Sequence, residues 1–171
     1  AYAWLYKEGA PKMLMEAIAE YGTLEVPGKG SNKKITDWAL ECGIGAYSTD
    51  DIPWCGLFMA VTAKRATWAR PPNPLWARDW AKWGNARAGA AMLGDVLVFP
   101  RGSGGHVALY VGEDSTHYHI LGGNQSDKVS IVRKAKKPII AIRQAPWRVA
   151  QPANVRRVFL KSSGAPVSGS E

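Results

Sequence analysis

Cysteine and histidine are scarce: the 171 residues include two Cys and three His. Two thiols cannot staple a small disulfide scaffold, and a chain this long does not need staples to hold a core. Long apolar runs are also missing. No stretch approaches the ~18 apolar residues of a membrane-spanning helix. The opening AYAWLYKEGAPKMLMEAIAEYG lacks a secretory-signal pattern, because Glu8, Glu16 and Glu20 break the apolar positions and the basic residues lie inside the segment. The expectation is a protein made in the cytoplasm, with no membrane span, that reaches any external target by another route such as a phage particle or host lysis. Acids are the minority charge, with 14 Asp+Glu against 22 Lys+Arg.

The chain is rich in aromatics. Eight Trp, six Tyr and three Phe within a 46% hydrophobic composition supply a sizeable core and exclude wholesale disorder. The length suits one domain. The net charge of +8 is uneven: residues 128–171 hold ten Lys or Arg and one acid, so that segment is +9 and the remainder −1. Such a basic end suits an anionic partner (nucleic acid, phospholipid or wall polymer) or is simply a solvated face. No nucleic-acid motif appears and the aromatics lie far from the charge run, so a nucleic-acid partner is not expected.

Helical signals come first. Leu5, Met13, Leu14, Ala17, Ile18 and Tyr21 recur at helical period over 2–21, with a break at Gly9 and Pro11 placed in the first turn of the main helix. A loop over 22–30, punctuated by Pro27 and Gly28, leads to Ser31 as N-cap of a helix over 32–42 that Gly43 stops. Thr49, Asp50 and Asp51 precede a third helix, predicted from Pro53 to about Trp68. Pro71, Pro72 and Pro74 make a stiff connection to a short Trp-rich helix over 75–83, ended by Gly84. From Gly94 the period becomes strand-like. DVLVFP, HVALYVGED, HYHILGGN, KVSIVRK and PIIAIRQ are five β-rich runs bounded by turn residues. Helices followed by strands predict an α+β fold with a mostly antiparallel sheet. The organisation expected is one domain over 1–161, with a helical half at 1–84 and a sheet half at 94–145, and a flexible tail over 162–171.

Cys55 falls at the first turn of the third helix, where unpaired N–H groups and the helix dipole favour a thiolate and predict a lowered pKa. Cys42, near the end of an amphipathic helix, reads as a core cysteine. His106 follows the Gly-rich RGSGGH and opens a strand, which leaves room for a substrate to approach. A Cys at a helix start and a His at a strand start are what a nucleophilic pair requires. A third polar group usually orients such a His. Asn124, at the end of the next strand, can do so if the two strands form a hairpin, and its neighbour Gln125 is a rival. His117 and His119 alternate with Tyr118 and share a strand face. Together with a lone Cys they make only a weak zinc pattern, since no CxxC or HExxH appears. Trp76, Trp80 and Trp83, at i, i+4 and i+7, read more as a core face than as a ligand platform.

The strings PWCGLFMA, GDVLVFPRGSGGHVALYVGED and ILGGNQSDKVSI resemble the NlpC-type and CHAP superfamily of cell-wall hydrolases, and within it a phage-associated branch of small proteins. The upstream GTLEVPGKGSNKKITDWA and the stretch ARDWAKWG fit that branch. The resemblance spans roughly 12–145 in matching order and spacing; residues 146–171 are not covered. It implies a papain-like α+β core with the Cys helix packed on an antiparallel sheet that carries the His. It implies Cys55 as nucleophile, His106 as general base and acid, and Asn124 as the third polar residue, with His119 a weaker candidate. Gly122 and Gly123 stand where many superfamily members place an acid. The backbone N–H groups of Cys55 and Gly56 would hold the oxyanion. Asp50, Asp51, Trp54, Gly105 and Gln125 are expected to line the substrate cleft, Asp51 being also a candidate helix cap. No metal or cofactor is required.

The activity so implied is hydrolysis of an amide in bacterial peptidoglycan, a stem-peptide endopeptidase favoured over an N-acetylmuramoyl-L-alanine amidase. The setting would be a phage endolysin, a tail-associated enzyme or a gene-transfer-agent component that contacts tail proteins. Readings of another class are a protein-directed acyl transferase or deamidase on the same machinery, and a non-catalytic wall-binding module.

Overall fold

A computed structural model describes residues 1–26, 32–45 and 53–167. A 3₁₀ turn, Ala3–Lys7, is followed by helices α1 (Lys12–Ile18), α2 (Lys33–Cys42) and α3 (Cys55–Arg65) and a second 3₁₀ segment, Ala77–Lys82. Six strands come after them: β1 (Asn85–Ala86), β2 (Val96–Arg101), β3 (Gly104–Glu113), β4 (His117–Gly122), β5 (Ser130–Ala135) and β6 (Ala141–Gln144). They form one antiparallel sheet in the order β1-β6-β2-β3-β4-β5. The fold is α+β with helices packed on the sheet, as the order of sequence signals predicts. No helix among the described residues is long and apolar enough to cross a membrane.

α3 is central because it is apolar on every side. All residues from Cys55 to Ala63 are buried, and α1, α2, β3 and β4 pack around it. Leu57, Phe58, Met59 and Val61 have no exposed surface. α2 is amphipathic, with Ile35, Trp38, Ala39 and Cys42 inward. Its N-cap is Asn32, whose Oδ1 accepts from the Lys34 N–H at 2.8 Å, and the left-handed Gly43 closes its other end. The Ser31 cap, the Pro27-Gly28 turn and Thr49, Asp50 and Asp51 fall outside the described residues. Pro11 is the N-cap of α1 rather than a first-turn residue.

Three corrections follow from packing. The sheet has six strands, because the two residues of β1 pair with Arg143 and Gln144 of β6, and so short a strand leaves no alternation to read. β3 begins at Gly104, directly after a two-residue turn that holds the left-handed Gly102, so His106 lies inside the strand rather than at its start. α3 stops at Arg65, short of Trp68. Residues 162–167 of the segment expected to be a flexible tail touch the rest of the fold: Leu160 bridges Pro166, and the Trp4 indole donates to the Gly164 carbonyl at 3.0 Å.

Candidate active site

Cys55 is the first residue of α3 and is 4% exposed. The N-cap residue, Trp54, gives no side-chain hydrogen bond to the helix start, so among the described residues the first-turn N–H groups have no side-chain cap. The N–H groups of Val107, Gly56 and Cys55 itself face the sulfur and favour the thiolate, as does the charge of Arg101. Burial outweighs them all and pushes the thiol pKa up. The lowering expected from the helix dipole is therefore overruled by desolvation. Gly56 is required by close approach: a Cβ there would stand 2.1 Å from the Pro74 carbonyl oxygen.

His106 is 2% exposed, and its Nε2 lies 2.8 Å from Gln125 Oε1. The Gln125 amide nitrogen donates to the carbonyls of Ser130 at 2.6 Å and Ile120 at 3.2 Å, which turns its oxygen toward the imidazole. That oxygen can only accept, so His106 Nε2 carries the proton and donates. Nδ1 is left as a buried lone pair without a hydrogen-bond partner among the described residues. Burial pulls the His106 pKa down to about 4; the Gln125 bond raises it, while Arg101 and Lys134 add to the lowering.

β3 and β4 do form the expected hairpin, but the hydrogen bond expected from Asn124 comes from Gln125. The cause is the loop after β4, where Asn124, Ser126 and Asp127 all have left-handed backbone, with φ of 56°, 54° and 59°. This path turns the Gln125 side chain in under His106 and leaves Asn124 at the cavity wall. A side chain at Gly122 would meet Gln125 Oε1 and Ala108, and one at Gly123 would meet Phe58 and Trp54. His119 belongs to a separate network: it donates from Nε2 to Asp114 at 2.8 Å and accepts at Nδ1 from Tyr2 Oη at 2.7 Å.

A cavity of about 350 Å³ opens onto Cys55; Pro53, Trp76, Arg101, Gly105 and Asn124 are among the residues that line it. Of the expected cleft residues, Gly105 is there. Trp54 is not: it is fully buried, 6.0 Å from the Trp38 ring, and its Nε1 donates to Glu25 at 3.1 Å. The Gln125 amide is spent on His106 and two carbonyls and is likewise unavailable to substrate. Asp50 and Asp51 lie outside the described residues. Trp76 and Arg101 are the residues the sequence reading missed. Trp80 and Trp83 are core as expected, but Trp76 is 51% exposed. The segment is 3₁₀, with three residues per turn, and Trp76 only caps it, so the i, i+4, i+7 spacing does not define one face. A second cavity of about 440 Å³, which Ile44, Arg70 and Asn73 help to line, adjoins across Leu75 and Trp76.

His117 and His119 do not meet a cysteine: the His117 ring contacts Thr116 and Arg133. Among the described residues no three His, Cys, Asp or Glu converge as a metal-ligand set. No protein-family model matches the chain, and a search of curated proteins finds no match.

Proposed function

We propose that this chain is a cysteine-dependent amide hydrolase that acts on bacterial peptidoglycan, through a papain-like pairing of Cys55 with His106. The observation that carries the reading is the His106 imidazole. Its Nε2 proton is fixed by Gln125, and its buried Nδ1 lone pair has no partner among the described residues. A structural histidine in a core normally has both nitrogens satisfied. An unsatisfied ring nitrogen on the strand beside a helix-start thiol suits a general base.

In this reading Cys55 gives its proton to His106 Nδ1 as the sulfur attacks the carbonyl carbon. A raised thiol pKa and a lowered imidazole pKa make the pair neutral at rest, so proton transfer accompanies attack. The N–H groups of Cys55 and Gly56 hold the oxyanion. His106 then returns the proton to the leaving amine and a thioester remains. Water, deprotonated by His106, attacks the thioester and releases the acid and the free thiol. Gln125 is the positioning residue that holds the reactive tautomer. The resemblance in the strings around Cys55, His106 and Gln125 supplies the substrate class. A stem-peptide endopeptidase is the favoured form and an N-acetylmuramoyl-L-alanine amidase the alternative. A phage endolysin, a tail-associated enzyme or a gene-transfer-agent component is the setting it suits.

Digestion of purified peptidoglycan by wild type and Cys55→Ala, with products read by mass spectrometry, tests this. Wild type releases fragments whose masses name the bond, and the variant loses roughly a thousandfold or more of that activity with unchanged circular dichroism. A folded Cys55→Ala protein that still cuts removes the thiol from the mechanism.

A further inference from the structure

Arg101 is the one charged side chain among the described residues that line the cavity at Cys55. The other nine arginines of the chain all have their guanidinium groups engaged. Arg65, Arg87, Arg133, Arg156 and Arg157 meet carboxylates. Arg70, Arg78 and Arg143 donate to backbone carbonyls, and Arg148 lies over the Trp68 ring. Arg101 alone makes no side-chain hydrogen bond, ion pair or ring contact among the described residues. It is exposed at the end of β2, opposite Gly104 across the hairpin turn. Phe99 pairs directly with His106, so Arg101, two residues on, projects to the His106 side of the sheet. Its positive charge is felt at both the Cys55 sulfur and the His106 ring.

A guanidinium is always charged, and its planar fork matches a carboxylate with two parallel hydrogen bonds. We propose that Arg101 is the anion-recognition residue of this cleft, and that the preferred substrate carries a free carboxylate beside the amide that is cut. This rests on the thiol-hydrolase reading of the same cavity.

The test compares alkylation of Cys55 by iodoacetate and by iodoacetamide, with the labelled peptide identified by mass spectrometry so that Cys42 is scored separately. In both reactions the thiolate sulfur displaces iodide and forms a thioether, so the rate ratio cancels differences in thiolate supply and isolates the effect of the reagent's charge. The iodoacetate-to-iodoacetamide ratio is expected to fall about threefold to fivefold in Arg101→Gln, the size of an exposed ion pair, to be largely kept in Arg101→Lys, and to shrink in high salt. If both reagents label Cys55 and Arg101→Gln leaves the ratio unchanged, the anion site is overturned while the thiol mechanism stands. If neither reagent labels Cys55 in the folded protein, the cavity does not serve the sulfur, and both readings fall together.

Discussion

Burial moves Cys55 and His106 in opposite directions: the thiol pKa goes up and the imidazole goes down to about 4. Both shifts favour the uncharged forms, because a charge at either atom loses its water. The sign for activity follows. In the proposed mechanism His106 must be unprotonated to act as base, so kcat/KM should hold through weakly acidic pH and fall only near pH 4, well below the ordinary histidine range. Gln125 sets the position of that limb. In Gln125→Glu a carboxylate would replace an amide oxygen 2.8 Å from Nε2, and the negative charge would stabilise the imidazolium. The acid limb should then rise by about one to three pH units. Gln125→Ala should lower kcat without an upward shift, since it removes the tautomer lock and supplies no charge. A pH–rate profile of the two variants separates a positioning role from a packing role. If the limb in Gln125→Glu stays near that of wild type, the residue acting as base is not the His106 imidazole that Gln125 holds.

The start of α3 sets the scale at which the site is built. The absence of a side chain at Gly56 lets the Pro74 carbonyl close in on the helix start, where the N–H groups of Cys55 and Gly56 face the sulfur. Gly56→Ala would put a methyl 2.1 Å from that carbonyl oxygen, so either the Pro74 loop or the helix start must shift. Overpacking of this kind costs about 1–3 kcal/mol, which a denaturation midpoint will register. Activity should fall by more than the folded fraction does, because the displaced groups include the N–H pair assigned to the oxyanion. Loss of activity in proportion to unfolding alone would place the oxyanion elsewhere. The same element shows what the sequence makes legible. A helix with Cys55 in its first turn, a strand that carries His106 and the order of the layers all follow from local period and turn residues. The choice of Gln125 over Asn124 does not, because it depends on three non-glycine residues with left-handed backbone, a path that local propensity disfavours. The exposure of Trp76 was hidden by reading α-helical spacing into a 3₁₀ turn. The fate of the Cys55 pKa depends on burial, which spacing does not report.

Across the whole molecule, four of the ten cations of the basic end that suggested an anionic partner are ion-paired within the fold. Arg133 pairs with Asp114, Lys136 and Arg157 share Glu113, and Arg156 pairs with Glu8. These pairs hold chain segments together, but each one consumes an acid with its base, so the excess of +8 remains unpaired and available to a wall or any other polyanion. The two ends of the chain also hold each other. Tyr2 donates to the buried His119 on β4, its ring packs against Gly164, and the Trp4 indole donates to the Gly164 carbonyl. Leu160, itself 2% exposed, packs against Gly112 of β3 and bridges Pro166. Removing residues 162–171 would therefore strip a hydrogen bond from Trp4, uncover part of Tyr2 and unpin the strap over β3. A loss of about 2–4 kcal/mol is expected from one hydrogen bond and the apolar surface exposed with it. A free tail would cost nothing. Chemical denaturation of the truncated chain decides between the two, and an unchanged midpoint would mean that the ends do not brace the sheet. A lowered midpoint with unchanged alkylation of Cys55 would show that this bracing is separable from the cleft at Cys55, as expected of a strap that meets Gly112 and Tyr2 when the cleft is lined by Arg101 and Asn124.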